Sequence, residues 1–211
     1  MTWQPRLPSE IEAESFRRIE AQVGPHHLPP EVWSVVRRMI HTSGDPEYLA
    51  AARLHPRAIA AGVEALRRGC PVATDTRMLL AGISTGRLDR LGVTAFCLMD
   101  DPEVAAEAAR RGTTRAEVAM ERSLPKLAGG IVAIGNAPTA LLRLLELLAA
   151  GAPPPALIVG VPVGFVNAAE SKDALARQDC PYITALGPKG GSALAASIVN
   201  ALAIMALEVP S

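Results

Sequence analysis

Aromatic residues make up only 3% of this chain, and its 211 residues include three cysteines and no surplus of either charge. The shortage of rings leaves an apolar fraction of 49% to Ala, Leu, Val and Ile, which suits Ala-rich helices packed on an aliphatic sheet. Balanced charge, 21 basic against 21 acidic residues, argues against a nucleic-acid or membrane-surface binder, because such proteins carry a basic excess. No apolar run reaches the ~18 residues of a membrane span. The opening MTWQPRLPSE lacks a basic segment followed by an apolar signal core, so a soluble, cytoplasmic protein is expected. Cys70, Cys97 and Cys180 are far apart and make no C-x-x-C or His/Cys cluster, which fits a reducing compartment and points to no metal site. Cys97, inside TAFCLM, reads as a small buried hydrophobe. Neither G-x-x-x-x-G-K-[ST] nor G-x-G-x-x-G follows any apolar run, so nucleotide binding has little support.

What the chain does have is a repeated order of apolar strand, polar loop and helix, at Gly130–Leu148, Pro155–Leu175 and Pro181–Glu208. In an open parallel sheet such loops sit at the carboxyl edge, where ligands bind and where the following helix turns unpaired N–H groups outward. PVAT, TAFCLM, IVAI, ALIVGV and YITAL are separated by segments long enough for crossover helices. They predict a doubly wound α/β fold: a mainly parallel five-stranded sheet with helices on both faces. The first third reads as an N-terminal helical extension. Ser9 and Glu12 form a capping-box pattern before a helix from about Ile11 to Val23, and a second helix spans Glu31 to Ile40 before Gly44. A short helix after Asp45-Pro46 and another from Pro56 to about Arg68 follow. One domain covers residues 1–211.

His41 falls where the second helix ends, and partial negative charge there favours imidazolium, making this side chain a candidate general acid. A surface histidine favoured by the helix dipole alone is the simpler reading of that position. Asn136 in GNAPT can start a helix ahead of Pro138, and Asn167 with Glu170 makes a capping-box variant, so both have structural explanations. Thr114 and Glu117 form another box, leaving Arg115 in a first helical turn, where a cation opposes the dipole unless an anion shares the site. Pro188-Lys189-Gly190-Gly191-Ser192 can cradle an anion through backbone N–H groups and a lysine.

GNAPTALLRLLELL, GVPVGFVNAAESKDAL and KGGSALAASIVNAL together resemble the precorrin-8X methylmutase family of cobalamin biosynthesis. ESFRRIEAQ, RRMIHTSGDPEY, PVATDTRMLLAGI and GTTRAEVAM fall in the order that family shows, so the resemblance covers nearly the whole chain. It implies an intramolecular methyl shift from C-11 to C-12 of a corrin precursor, giving hydrogenobyrinate without an external cofactor. His41 matches the family's catalytic histidine, which would protonate the ring and favour a [1,5]-sigmatropic shift. Ser15 matches a substrate-contacting serine, and Arg115 is suited to gripping a carboxylate bidentately. Asn136, Thr139, Gly164, Lys189, Gly191 and Ser192 are expected to line the substrate pocket. Two segments depart from the family's pattern. Gly187-Pro188-Lys189 stands where GRx precedes GGS, and Asp75-Thr76-Arg77-Met78 replaces a more acidic D-x-E-M. Alternatives are the same shift on the cobalt-containing substrate, the cobalt arriving inside it, or a noncatalytic corrinoid carrier. The resemblance also implies a homodimer with active sites near the subunit interface.

Overall fold

The computed structural model describes residues 7–127 and 129–208. Residues 1–6, part of the opening stretch read for a signal segment, lie outside the described residues. The chain runs through α1 (Pro8–Val23), α2 (Pro30–Ser43), α3 (Tyr48–Ala51), β1 (Ala52–Leu54), α4 (Ala58–Arg67), β2 (Val72–Thr74), α5 (Arg77–Gly82) and α6 (Thr85–Arg90). It continues through β3 (Ala95–Cys97), α7 (Pro102–Arg111), α8 (Arg115–Ser123), β4 (Ile131–Ile134), α9 (Pro138–Ala149), β5 (Leu157–Gly160), α10 (Ala168–Leu175), β6 (Tyr182–Ala185) and α11 (Ser192–Leu207).

The sheet has the order β1-β6-β5-β4-β2-β3. All five apolar runs read from sequence are strands, and they pair in parallel. The expected count of five is corrected to six. Ala52–Leu54 adds β1 antiparallel along the edge of β6, with Ala52 opposite Ala185 and Leu54 opposite Ile183. Three residues carry no readable alternation, and their strand state comes from this pairing. The parallel strands follow a flavodoxin-like order, whose direction reverses between β2 and β4.

Period-2 alternation sends neighbouring residues of β4 to opposite faces. Ile131 and Ala133 join Val72, Leu157 and Val159 in a core under α2, α4 and α11, while Val132 and Ile134 join Ile158, Leu141 and Leu144 under α9. Helices therefore cover both faces, as expected. α11 is apolar on nearly every side because α2, α4 and α5 surround it. No helix among the described residues is long and apolar enough to cross a membrane.

Several local expectations shift by a few residues. The first helix begins at Pro8, and Glu10, not Glu12, reaches back to accept from the Leu7 N–H at 3.1 Å. Glu12 instead pairs with Arg38, fastening α1 to α2. The second helix runs past Ile40 to Ser43 and closes on Gly44 in the left-handed conformation, so His41 lies in its last turn. Cys97 is half-buried.

Candidate active site

The reversal of strand order puts the ends of β2 and β4 side by side, and Asp75 fills the gap between them. Its carboxylate accepts N–H bonds from Gly135 (3.0 Å), Asn136 (2.8 Å) and Ala137 (2.8 Å), the backbone of the GNAP turn. Asp75 is 3% exposed. Burial pushes its carboxyl above the ordinary range, and the three backbone donors pull it back. Asn136 contributes its backbone to this arrangement, and Ala137 is the residue that opens α9, with no side-chain cap. Asp75 was not assigned this role from the sequence. An acid placed directly after a fully buried strand was the available signal.

Next to it, Thr76 Oγ1 and Ser192 Oγ approach to 2.9 Å, joining the start of α5 to the start of α11. A Cβ at Gly135 would meet Ser192 Cα at 2.6 Å, so the GNAP turn touches α11 so closely that only glycine fits. The strap from Gly187 to Gly191 lies against the segment after β5. Gly191 donates to Val161 O (2.9 Å) and Gly164 donates to Pro188 O (3.1 Å). These N–H groups, expected to face a ligand, are spent inside the protein.

Lys189 is likewise engaged, its ammonium bonded to Asp45 Oδ2 (2.5 Å) and Glu47 Oε2 (2.7 Å). Both carboxylates stand just past α2, and the bonds hold the Lys189 ammonium well above, and the Asp45 carboxyl below, their usual ranges. The anion cradle expected here from Pro188 to Ser192 is therefore a tie between the strap and the end of the helix that carries His41. His41 is exposed, with its ring edge-on to Phe16 at 5.4 Å between centroids. Arg37 covers the same Phe16 ring at 4.1 Å. Ser15, half-buried, precedes Phe16 on α1, so the first two helices bring Ser15 to the His41 side of the fold.

On the other flank Thr114 caps α8 by accepting from the Glu117 N–H and meets Thr139 Oγ1 at 3.2 Å. That contact sets Arg115 and Thr139 side by side at the starts of α8 and α9. Arg111 at the end of α7, Arg122 on α8 and Arg143 on α9 are all paired with glutamates. Arg115 is exposed and makes no ion pair among the described residues. Asn167 starts α10 in the left-handed region (φ 61°) without a side-chain capping bond, contrary to the capping-box reading. A separate cavity of about 690 Å³ between α5, α6 and β3 contains none of the expected site residues.

Residues 10–205 match the family model for precorrin-8X methylmutase. The chain belongs to that family. It is 43% identical over 199 residues to the cobalt-precorrin-8 methylmutase of Priestia megaterium, covering 94% of this chain and 88% of the relative. It is 44% identical to the precorrin-8X methylmutase of Pseudomonas aeruginosa, covering 92% and 93%. A crystal structure of the precorrin-8X methylmutase from Thermus thermophilus superposes with a TM-score of 0.85 at 43% identity, covering 93% of this chain and 96% of that one. The family's activity is that of a methylmutase, an isomerase that moves a methyl group within one molecule.

Proposed function

We propose that this chain moves the C-11 methyl group of precorrin-8X to C-12, with His41 donating a proton to the macrocycle. The observation that carries the reading is the tie between Lys189 and Asp45, which holds the His41 end of α2 beside the loops at the carboxyl ends of β4, β5 and β6. Protonation draws electrons from the conjugated ring and lowers the barrier to a [1,5] shift, and a positioned acid typically contributes ~10²–10⁴-fold. No external cofactor enters this scheme.

The substrate's acetate and propionate groups need donors around an apolar rim. Arg115, without an ion pair among the described residues, takes one carboxylate, and Ser15 takes another by hydrogen bonding. Asn136, Thr139, Gly164, Gly191 and Ser192 line the loops between these two ends. Lys189 belongs to the same rim, with its charge shared between Asp45 and Glu47. Phe165, at 97% exposure, and Val166 stand on the loop after Gly164 and supply apolar cover for the ring. A homodimer would bury the same exposed residues, and sedimentation velocity tests for it. The spacing of the free cysteines supports a cytoplasmic location.

The deciding experiment is anaerobic incubation with precorrin-8X and, separately, with its cobalt form, followed by visible spectroscopy beside His41→Ala. Conversion of precorrin-8X that disappears in the variant supports the proposal. Conversion of the cobalt form alone reassigns the substrate to that of the cobalt-precorrin-8 relatives. Binding of both without conversion makes the protein a carrier.

A further inference from the structure

Lys172 is a fully buried side chain, 0% exposed, in the second turn of α10. It reaches no carboxylate within ion-pair distance among the described residues. Its ammonium donates to the Lys189 carbonyl at 2.6 Å. Burial lowers its proton affinity to about 8, partly offset by Asp173. A buried ammonium without a counter-ion is costly, and a chain that uses arginine for nearly all its cations has placed one of its few lysines there. The Lys189 residue that accepts this bond through its backbone is the one whose side chain grips Asp45 and Glu47. The two lysines therefore form a continuous link from α10, through the strap, to the end of α2.

We propose that Lys172 is a positioning residue: by holding Lys189 O it fixes the strap, and through the Lys189 ammonium it fixes the α2 terminus that presents His41. At Lys189 the strap is held from two sides, its carbonyl by Lys172 and its ammonium by Asp45 and Glu47. Pro188 has no N–H, the bonds at Gly164 and Gly191 fasten the residues on either side of Lys189 to the segment after β5, and Lys172 supplies the bond to the Lys189 carbonyl between them. A Cβ at Gly190 would meet Val161 O at 2.1 Å, so the middle must be pulled tightly onto that segment. The compact ammonium suits a single carbonyl, whereas the broad guanidinium fork of arginine would need more room and more acceptors.

The catalytic part of this inference rests on the reading of His41 given above, and the structural part does not. Lys172→Met keeps the side chain's length and removes its donor. Hydrogen exchange of the substrate-free protein is expected to show the Gly164 and Gly191 amides exchanging at least tenfold faster in Lys172→Met. The sheet amides of Ile158 and Val161 are expected to stay as protected as in the wild-type protein. Unchanged strap amides, or a uniform loss of protection across the sheet, overturn the proposal. In turnover, kcat is expected to fall at least tenfold with KM within threefold. A change in KM alone, or in neither constant, overturns the link to His41. If the wild-type protein turns over neither corrinoid, the methyl-shift reading fails while the exchange experiment still judges Lys172. Should Lys172→Met not fold, ¹⁵N-lysine labelling of the wild-type protein decides, because Lys126, Lys172 and Lys189 are the only lysines of the chain. A slowly exchanging Nζ signal from Lys172 supports the bond to the strap, and rapid exchange of all three signals overturns it.

Discussion

Thr76 Oγ1 and Ser192 Oγ lie 2.9 Å apart across 116 positions of sequence. Thr76 also accepts the Leu79 N–H at 3.1 Å, so one hydroxyl caps α5 and fastens it to α11. Thr76→Val removes both bonds at nearly constant volume and is expected to cost about 1–2 kcal/mol. Ser192→Ala removes only the second and is expected to cost less than about 1 kcal/mol. Urea unfolding of the two variants measures the difference, and equal losses would show that the cap contributes nothing.

Asp75→Ala strands the Gly135, Asn136 and Ala137 N–H groups where the sheet reverses direction. The expected loss is about 2–4 kcal/mol, below the sum of three fully orphaned donors because water can enter the vacated space. Catalysis should suffer more than stability, since the GNAP turn loses its anchor. A variant as stable and as active as the wild type would show that α9 alone holds the turn.

Gly190→Ala forces a methyl group to within 2.1 Å of Val161 O and must lift the strap. Activity is expected to drop at least tenfold. Gly86→Ala is the control, because nothing lies within 4 Å of the added methyl. Within α6 that change is expected to be neutral or to stabilise by up to about 1 kcal/mol.

The protonation of Lys172 makes stability depend on pH in a defined direction. Its folded value of about 8 lies below the ordinary 10.5, so between these limits the unfolded chain binds more protons. The desolvation penalty is present in full below pH 8 and is relieved as pH rises toward 10.5. The wild-type protein should therefore gain stability relative to Lys172→Met across this window, by at most about 3 kcal/mol. Taking the difference cancels the opposing effects of Tyr48 and Cys180, whose burial raises them in both proteins. Denaturant midpoints at pH 7.5 and 10 measure the gain, and a flat difference would mean that Lys172 is hydrated.

Strands β2 to β6 and their parallel pairing were legible because each is an apolar run bounded by turn residues and separated from the next by room for a crossover helix; their order in the sheet was not. The strand β1 was not, since Ala-Arg-Leu acquires its state from β6. The place of His41 at a helix end was legible from Gly44, whose left-handed conformation ends the helix within the same turn. Asp75 was hidden because its partners lie about 60 residues further on and meet it only through the sheet. Lys172 was readable in principle. Ala168, Ser171, Lys172 and Leu175 fall on one buried helical face, and a lysine on such a stripe signals a polar partner inside. Lys189 was placed in the right loop but given the wrong neighbours, because Asp45 and Glu47 belong to a different third of the chain.

The bond between Lys189 and Asp45 joins residues 144 positions apart and can form only after β6 has taken its place in the sheet. Contacts of such long range carry the largest loop-closure entropy and belong to the last stage of folding. His41 on α2 is thus synthesised early but gains the Lys189 tie beside its helix end only when the last part of the chain docks. A ribosome-bound fragment ending before Gly187 would hold His41 without the strap, and so would lack the Lys189 tie to Asp45 until synthesis passes the last loop.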